Sequence, residues 1–205
     1  MTKLSRGIML GNQQSVHQRS FPTSATHNFY IYGEIQDHDE NIVDCIMTLD
    51  LASENDIVNI FINTPGGSLE TTISLVHAML RTEAMVITHA DGMVASAGTL
   101  IFFAGQSYVV YPYSTLMVHD YSGGVDPYGK GNENLKRLLA GNNLINRMTQ
   151  DLYVPVFSEE EVGEILEGKD VYLDSDELIE RIKKAYNPDE DEPTEDDLSP
   201  ELLVE

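Results

Sequence analysis

From residue 29 onward, apolar positions alternate between short continuous runs and stripes at helical spacing. Phe29-Tyr30-Ile31-Tyr32-Gly33 is a β-rich run closed by glycine, and Asn41 to Leu51 places Ile42, Val43, Ile46 and Leu49 on one helical stripe. Ile57 to Ile62 reads as a buried strand that breaks at Asn63-Thr64-Pro65-Gly66-Gly67, a strong turn signal. A helix is predicted from Leu69 to Arg81, with Ile73, Val76, His77 and Leu80 on its stripe. Ala84 to His89 predicts another strand, and Ala95 to Phe103 an apolar helix rich in small residues. Ser107 to Tyr111 and Thr115 to Val118 predict short strands around Pro112. After Gly123-Gly124 a long amphipathic helix is predicted over about Asn132 to Tyr153, carrying Leu135, Leu138, Leu139, Ile145, Met148 and Leu152. A last helix spans Ser175 to Ala185. This alternation predicts an α/β domain with parallel strands joined by crossover helices.

The ends differ from this middle. Residues 1–28 are polar without a clear period and predict an N-terminal arm; 29–186 form the domain; 187–205 form an acidic tail with the composition of a disordered segment. Of the 34 Asp and Glu, nine lie in that tail, so the remaining 25 against 12 Lys and Arg keep the domain acidic as well. A net charge of −22 repels phosphate backbones and anionic bilayers, which argues against nucleic-acid and membrane partners. No apolar run reaches spanning length and no signal-peptide pattern opens the chain, so a cytoplasmic location is expected. The single cysteine, Cys45, sits within an apolar pattern and reads as a buried small hydrophobe, consistent with a reducing compartment.

Four elements are candidates for chemistry. Gly92-Met93-Val94-Ala95-Ser96-Ala97-Gly98 places a serine among small residues at a strand-to-helix junction. That environment suits an acyl-transfer nucleophile and equally suits a helix N-cap. Gly66-Gly67, after a buried strand, offers amides unshielded by side chains, as an oxyanion hole requires, or an ordinary glycine turn. No Lys-Ser or Lys-Thr follows, which disfavours a phosphate loop. His119 closes the apolar run Leu116-Met117-Val118 and could act as a base or serve structurally; His77 and His89 are competing histidines. Asp170 could orient an imidazole, although with 34 acids in the chain spacing alone does not select it.

Together these elements resemble the Clp protease proteolytic subunit family, over Phe29 to about Ala185. Tyr32-Gly33-Glu34-Ile35 is similar to the family's opening strand and turn. Ile62-Asn63-Thr64-Pro65-Gly66-Gly67 is similar to its I-N-S-P-G-G loop with Thr64 for serine, and Gly92 to Gly98 resembles its nucleophile segment. Met117-Val118-His119-Asp120 through Gly123-Gly124 resembles the segment bearing the base, and Asp170-Val171-Tyr172-Leu173 the one bearing the acid. The resemblance implies an α/β spiral of βαβ units, shared with the crotonase group, with a long handle helix. It implies Ser96 as nucleophile, His119 as general base, Asp170 as orienting carboxylate, and the backbone amides of Gly67 and Ala97 as the oxyanion hole. No metal or organic cofactor is implied.

The resemblance further implies a homo-oligomer of two stacked heptameric rings, a tetradecamer whose chamber receives unfolded protein from an ATP-driven AAA+ unfoldase. Two departures bear on this. The arginine common after the acid is replaced by Val171, leaving Lys169 as the neighbouring cation, and the family's axial-loop sequence is not recognisable in residues 1–28. Three alternatives stay open on the sequence: a stand-alone processing protease such as those that mature viral capsids, a catalytically silent ring subunit, and a coenzyme A enzyme of the crotonase type.

Overall fold

The computed structural model describes residues 24–120, 122 and 128–186. Most of the polar arm, Gly123-Gly124 and the acidic tail lie outside the described residues.

The chain alternates strands and helices: β1 (Thr26–Tyr32), α1 (Glu40–Leu51), β2 (Ile57–Thr64), α2 (Leu69–Arg81), β3 (Met85–Ala95), α3 (Ala97–Phe103), β4 (Ser107–Val110), β5 (Thr115–Val118), α4 (Gly131–Tyr153), α5 (Glu159–Leu166), β6 (Val171–Asp174) and α6 (Ser175–Tyr186). The strands form one six-stranded sheet in the order β1-β2-β3-β5-β6, with β4 also pairing to β3. Neighbours from β1 to β5 are parallel and β6 runs antiparallel to β5. The expected parallel α/β architecture is therefore present, closed by one antiparallel edge strand.

Helix starts follow local hydrogen-bond chemistry. Asp39 accepts from the amides of Asn41 and Ile42 at the start of α1, and Ser68 accepts from the Thr71 amide at the start of α2. Ser158 and Glu161 form a reciprocal capping box on α5. The sequence carries that Ser-x-x-Glu signal, although the apolar pattern alone predicts no helix there.

The core lies between the sheet and the helices. Val58, Ile60 and Ile62 of β2 alternate inward against Leu75 and Met79 of α2, and Ile101 and Phe102 of α3 complete the layer. α3 is buried along its whole length. Cys45 is buried, and desolvation pushes its thiol up to about 12, so it packs as an apolar group.

Several elements differ from expectation. β1 begins three residues before Phe29, because Thr26 to Asn28 pair with Ile57 to Asn59, and Asn59 Nδ2 donates to Asn28 Oδ1 at 2.9 Å. The buried residues of α2 are Thr72, Leu75, Val76, Ala78 and Met79, while His77 and Leu80 point to solvent. β3 continues six residues past His89. Its first half pairs with β4 and its last three residues with β5, and the register against β2 shifts between Ile62 and Thr64. At the shift the Asn63 side chain accepts from the Met93 amide at 3.1 Å, replacing a ladder bond. Among the described residues no helix is long and apolar enough to cross a membrane.

Candidate active site

Three strand ends converge at one end of the sheet. The last pair of β3 with β5 is Ala95 with Met117, and the next residue, Ser96, donates its amide to the Met117 carbonyl at 3.0 Å. Val118 of β5 pairs with Val171 of β6 in antiparallel register. His119 and Asp170 are therefore each one residue beyond that pair, on the same side. The sheet alone thus brings Ser96, His119 and Asp170 to a common edge.

Ser96 joins β3 to α3 with φ 52 and ψ −123, a backbone region that side-chain-bearing residues rarely adopt. Such a conformation costs about 1–3 kcal/mol and persists only when its surroundings over-determine it. The expected helix start at Ala95 is displaced by this turn, so Ser96 does not cap α3 with its side chain. The arrangement is a strand–serine–helix elbow, which presents the hydroxyl instead of folding it back on the helix.

The loop after β2 fits against the elbow. Thr64 is fully buried; its hydroxyl donates to the Gly33 carbonyl at 2.5 Å and accepts from the Gly66 amide at 3.0 Å. Gly66 and Gly67 adopt φ +99 and +144, and Gly67 pairs with Ile35 so closely that a Cβ there would lie 2.2 Å from the Ile35 carbonyl oxygen. Only glycine is tolerated at such a position. The Gly66 amide is bonded to Thr64, whereas the amides of Gly67 and Ala97 donate to no acceptor among the described residues. Ala97 is the first residue of α3, where amides have no intrahelical partner.

Ser96, Gly66, Gly67, Ala97 and His119 line one cleft of about 500 Å³, with Glu34, Pro65, Leu69, Leu100, Asp120, Ser122, Ile145, Thr149 and Tyr153. Leu100 and Ile145 supply apolar wall. Among the described residues Ser96 and His119 share this cleft without a hydrogen bond between them, and Asp170 is exposed, outside the lining, and forms no ion pair with His119. Lys169 does not serve Asp170: its ammonium pairs with Glu164 at 2.5 Å.

The competing histidines lie elsewhere. His77 is on the solvent face of α2. His89 stacks on Phe61 at 4.2 Å, within a row of rings from Tyr30 to Tyr111 across the sheet. The sequence marks Thr64 only as part of the turn and assigns no role at the site to Thr149 or Tyr153. The last two belong to the i, i+4, i+8 line Ile145-Thr149-Tyr153, the buried face of α4, where the sequence pointed to the more apolar Met148 and Leu152.

Comparison with known proteins bears on the family and the fold. The Clp protease family profile matches residues 19–159, ending before Asp170. ATP-dependent Clp protease proteolytic subunit 3 of Rhizobium meliloti is 30% identical over 128 residues, covering 60% of this chain and 65% of that protein. The ATP-dependent Clp protease proteolytic subunit of Streptococcus agalactiae is 28% identical over 116 residues, 55% of this chain and 58% of that protein. The chain thus spans less than two thirds of the length of these curated relatives. A solved ClpP1 mutant from Listeria monocytogenes superposes with a TM-score of 0.61 at 26% identity, covering 76% of this chain and 86% of that one. A profile match over more than half of the sequence, on a fold shared with a solved relative, makes this chain a member of the Clp protease family.

Proposed function

We propose that this chain is a serine endopeptidase in which Ser96 is the nucleophile, His119 the general base and Asp170 its orienting carboxylate. One observation carries the reading: Ser96 stands on a strained elbow in a cleft that also holds His119 and two amides, of Gly67 and Ala97, that have no acceptor among the described residues. Unengaged donors beside a presented hydroxyl suit a developing oxyanion.

In this mechanism Ser96 Oγ attacks the peptide carbonyl carbon while His119 takes its proton. The Gly67 and Ala97 amides donate to the oxyanion. His119 then delivers the proton to the departing amine, leaving an ester on Ser96. Water, deprotonated by His119, attacks that ester and restores the free hydroxyl. Asp170, which like His119 lies one residue beyond the Val118–Val171 pair, takes the role of orienting the imidazole through Nδ1.

Assembly into stacked heptameric rings, delivery of unfolded protein by an AAA+ unfoldase, and a cytoplasmic site of action are parts of the same proposal. Exposed apolar side chains favour assembly: Leu135 and Leu139 on the first turns of α4 are 57% and 52% exposed, and Met47 and Leu51 on α1 are 58% and 85% exposed. Packed protein partners cover such groups. The test is hydrolysis of a fluorogenic peptide by the wild-type chain and by Ser96→Ala, alongside native mass measurement. Loss of turnover in a variant of unchanged particle mass is expected. Equal turnover by Ser96→Ala contradicts the assignment.

A further inference from the structure

We infer that Tyr153 and Thr99 are positioning residues for the oxyanion hole, acting on the Ser96–Ala97 peptide through a directed chain of hydrogen bonds; this rests on the protease reading above. The Thr99 hydroxyl lies 2.5 Å from the Ser96 carbonyl oxygen and 2.5 Å from the Tyr153 hydroxyl. Proton counting fixes the direction. The carbonyl can only accept, so Thr99 spends its one proton there, and Tyr153 must donate to Thr99. The Ser96 carbonyl also accepts from the Thr99 amide at 2.9 Å. Two donors from one residue therefore hold it.

The carbonyl of Ser96 and the amide of Ala97 are two ends of a single planar peptide group. Fixing the oxygen fixes the direction of the N–H on the opposite side, the donor proposed for the oxyanion. Hydrogen bonds accepted by a peptide carbonyl also polarise the group and strengthen its N–H as a donor. The positive φ of Ser96 gives this peptide a reason to relax, and Thr99 opposes that relaxation.

The chain is built rather than incidental. Thr99 is 0% and Tyr153 3% exposed, so neither hydroxyl has water as an easy alternative. Burial pushes the Tyr153 phenol well above its ordinary range, which keeps it a neutral donor at physiological pH. Tyr153 is the last residue of α4 and also lines the cleft. The end of the long helix is thereby linked to the nucleophile's own peptide.

The test uses the full chain and three variants, Tyr153→Phe, Thr99→Val and Thr99→Ser. Two readouts are taken: peptide hydrolysis, with inhibition by a peptide aldehyde of the same sequence, and the amide resonance of Ala97 in selectively labelled protein. Tyr153→Phe and Thr99→Val are expected to lower kcat about tenfold with KM within about twofold, because a misdirected donor is felt in the transition state. Aldehyde affinity falls in parallel, and Thr99→Ser recovers most of the loss. The Ala97 amide proton shifts upfield in the first two variants and returns in the third. An unmoved Ala97 resonance, or equal loss of kcat in Thr99→Ser and Thr99→Val, overturns the inference. If the resonance moves as stated but the wild-type chain cleaves no peptide, the hydrogen-bond chain stands and the protease reading is the part that fails.

Discussion

A Cβ on Gly66 would lie 2.7 Å from the Cβ of Ser96 and 3.0 Å from the amide nitrogen of Ala97. The glycine loop and the Ser96 elbow are thus packed closely enough that a side chain on Gly66 must displace one of them. Gly66→Ala combines this collision with a φ of +99, so a loss of roughly 2–4 kcal/mol in folding stability is expected. Activity should fall by at least about a hundredfold, since the cleft must open to relieve the contact. Chemical denaturation and peptide hydrolysis on the same preparation check both parts.

Thr64 makes a separate prediction. Thr64→Val keeps the shape but leaves the Gly66 amide and the Gly33 carbonyl without their partner, a loss of about 2 kcal/mol. Thr64→Ser keeps both bonds and gives up only the methyl group that packs beside Gly98, about 1 kcal/mol. Denaturation midpoints should therefore rank wild type, Ser, then Val. A Val variant as stable as the Ser variant would show that the hydroxyl does not hold the loop.

Much of this was legible in the sequence, for physical reasons that can be named. The glycine pair, the small-residue serine segment and His119 carry special backbone or chemical demands, so their positions stood out. The bounds of α2 were clear, yet its buried face was not: Thr72 is buried and Leu80 is 64% exposed, so a count of apolar residues selects the wrong stripe. The strand predicted to end at His89 runs on because Gly92, with φ +134, passes the chain through a register shift that involves Asn63, a residue on another strand. β6 is four residues long, and its identity as a strand comes from pairing with β5 rather than from any local signal. Asp170 is one acid among 34; in the sequence the family resemblance singles it out, and in the fold the register of Val171 against Val118 puts it level with His119.

Asp170→Asn tests that register argument. Removing the carboxylate's charge while keeping its shape should lower kcat by roughly 10²–10⁴, with KM little changed. The same substitution at Asp120, which lines the cleft from the neighbouring position, serves as a comparison. A larger loss at Asp120 than at Asp170 would transfer the orienting role.

His89 makes the stability of the sheet pH-dependent. Asn59 Nδ2 donates to Asn28, so Asn59 Oδ1 faces His89 and accepts from Nε2 at 3.0 Å. Nδ1 is left facing the Tyr111 hydroxyl. Burial lowers the pKa of this imidazole from 6.5, and the nearby Asp91 only partly opposes it. The unfolded chain therefore binds a proton before the folded one does. The resulting stability is fully present above about pH 6.5 and is lost as pH falls through the folded value. Melting temperature should decline more steeply between pH 7 and 5 in wild type than in His89→Phe, which stacks without titrating. Identical slopes would remove His89 as the cause.

The central claim is that Ser96 is an activated nucleophile, and a fluorophosphonate tests it most directly. Treated protein, digested and analysed by mass spectrometry, should carry one phosphonyl group on Ser96, with labelling strongly slowed in His119→Ala. Labelling that bypasses Ser96, or proceeds at the same rate without His119, would contradict the account.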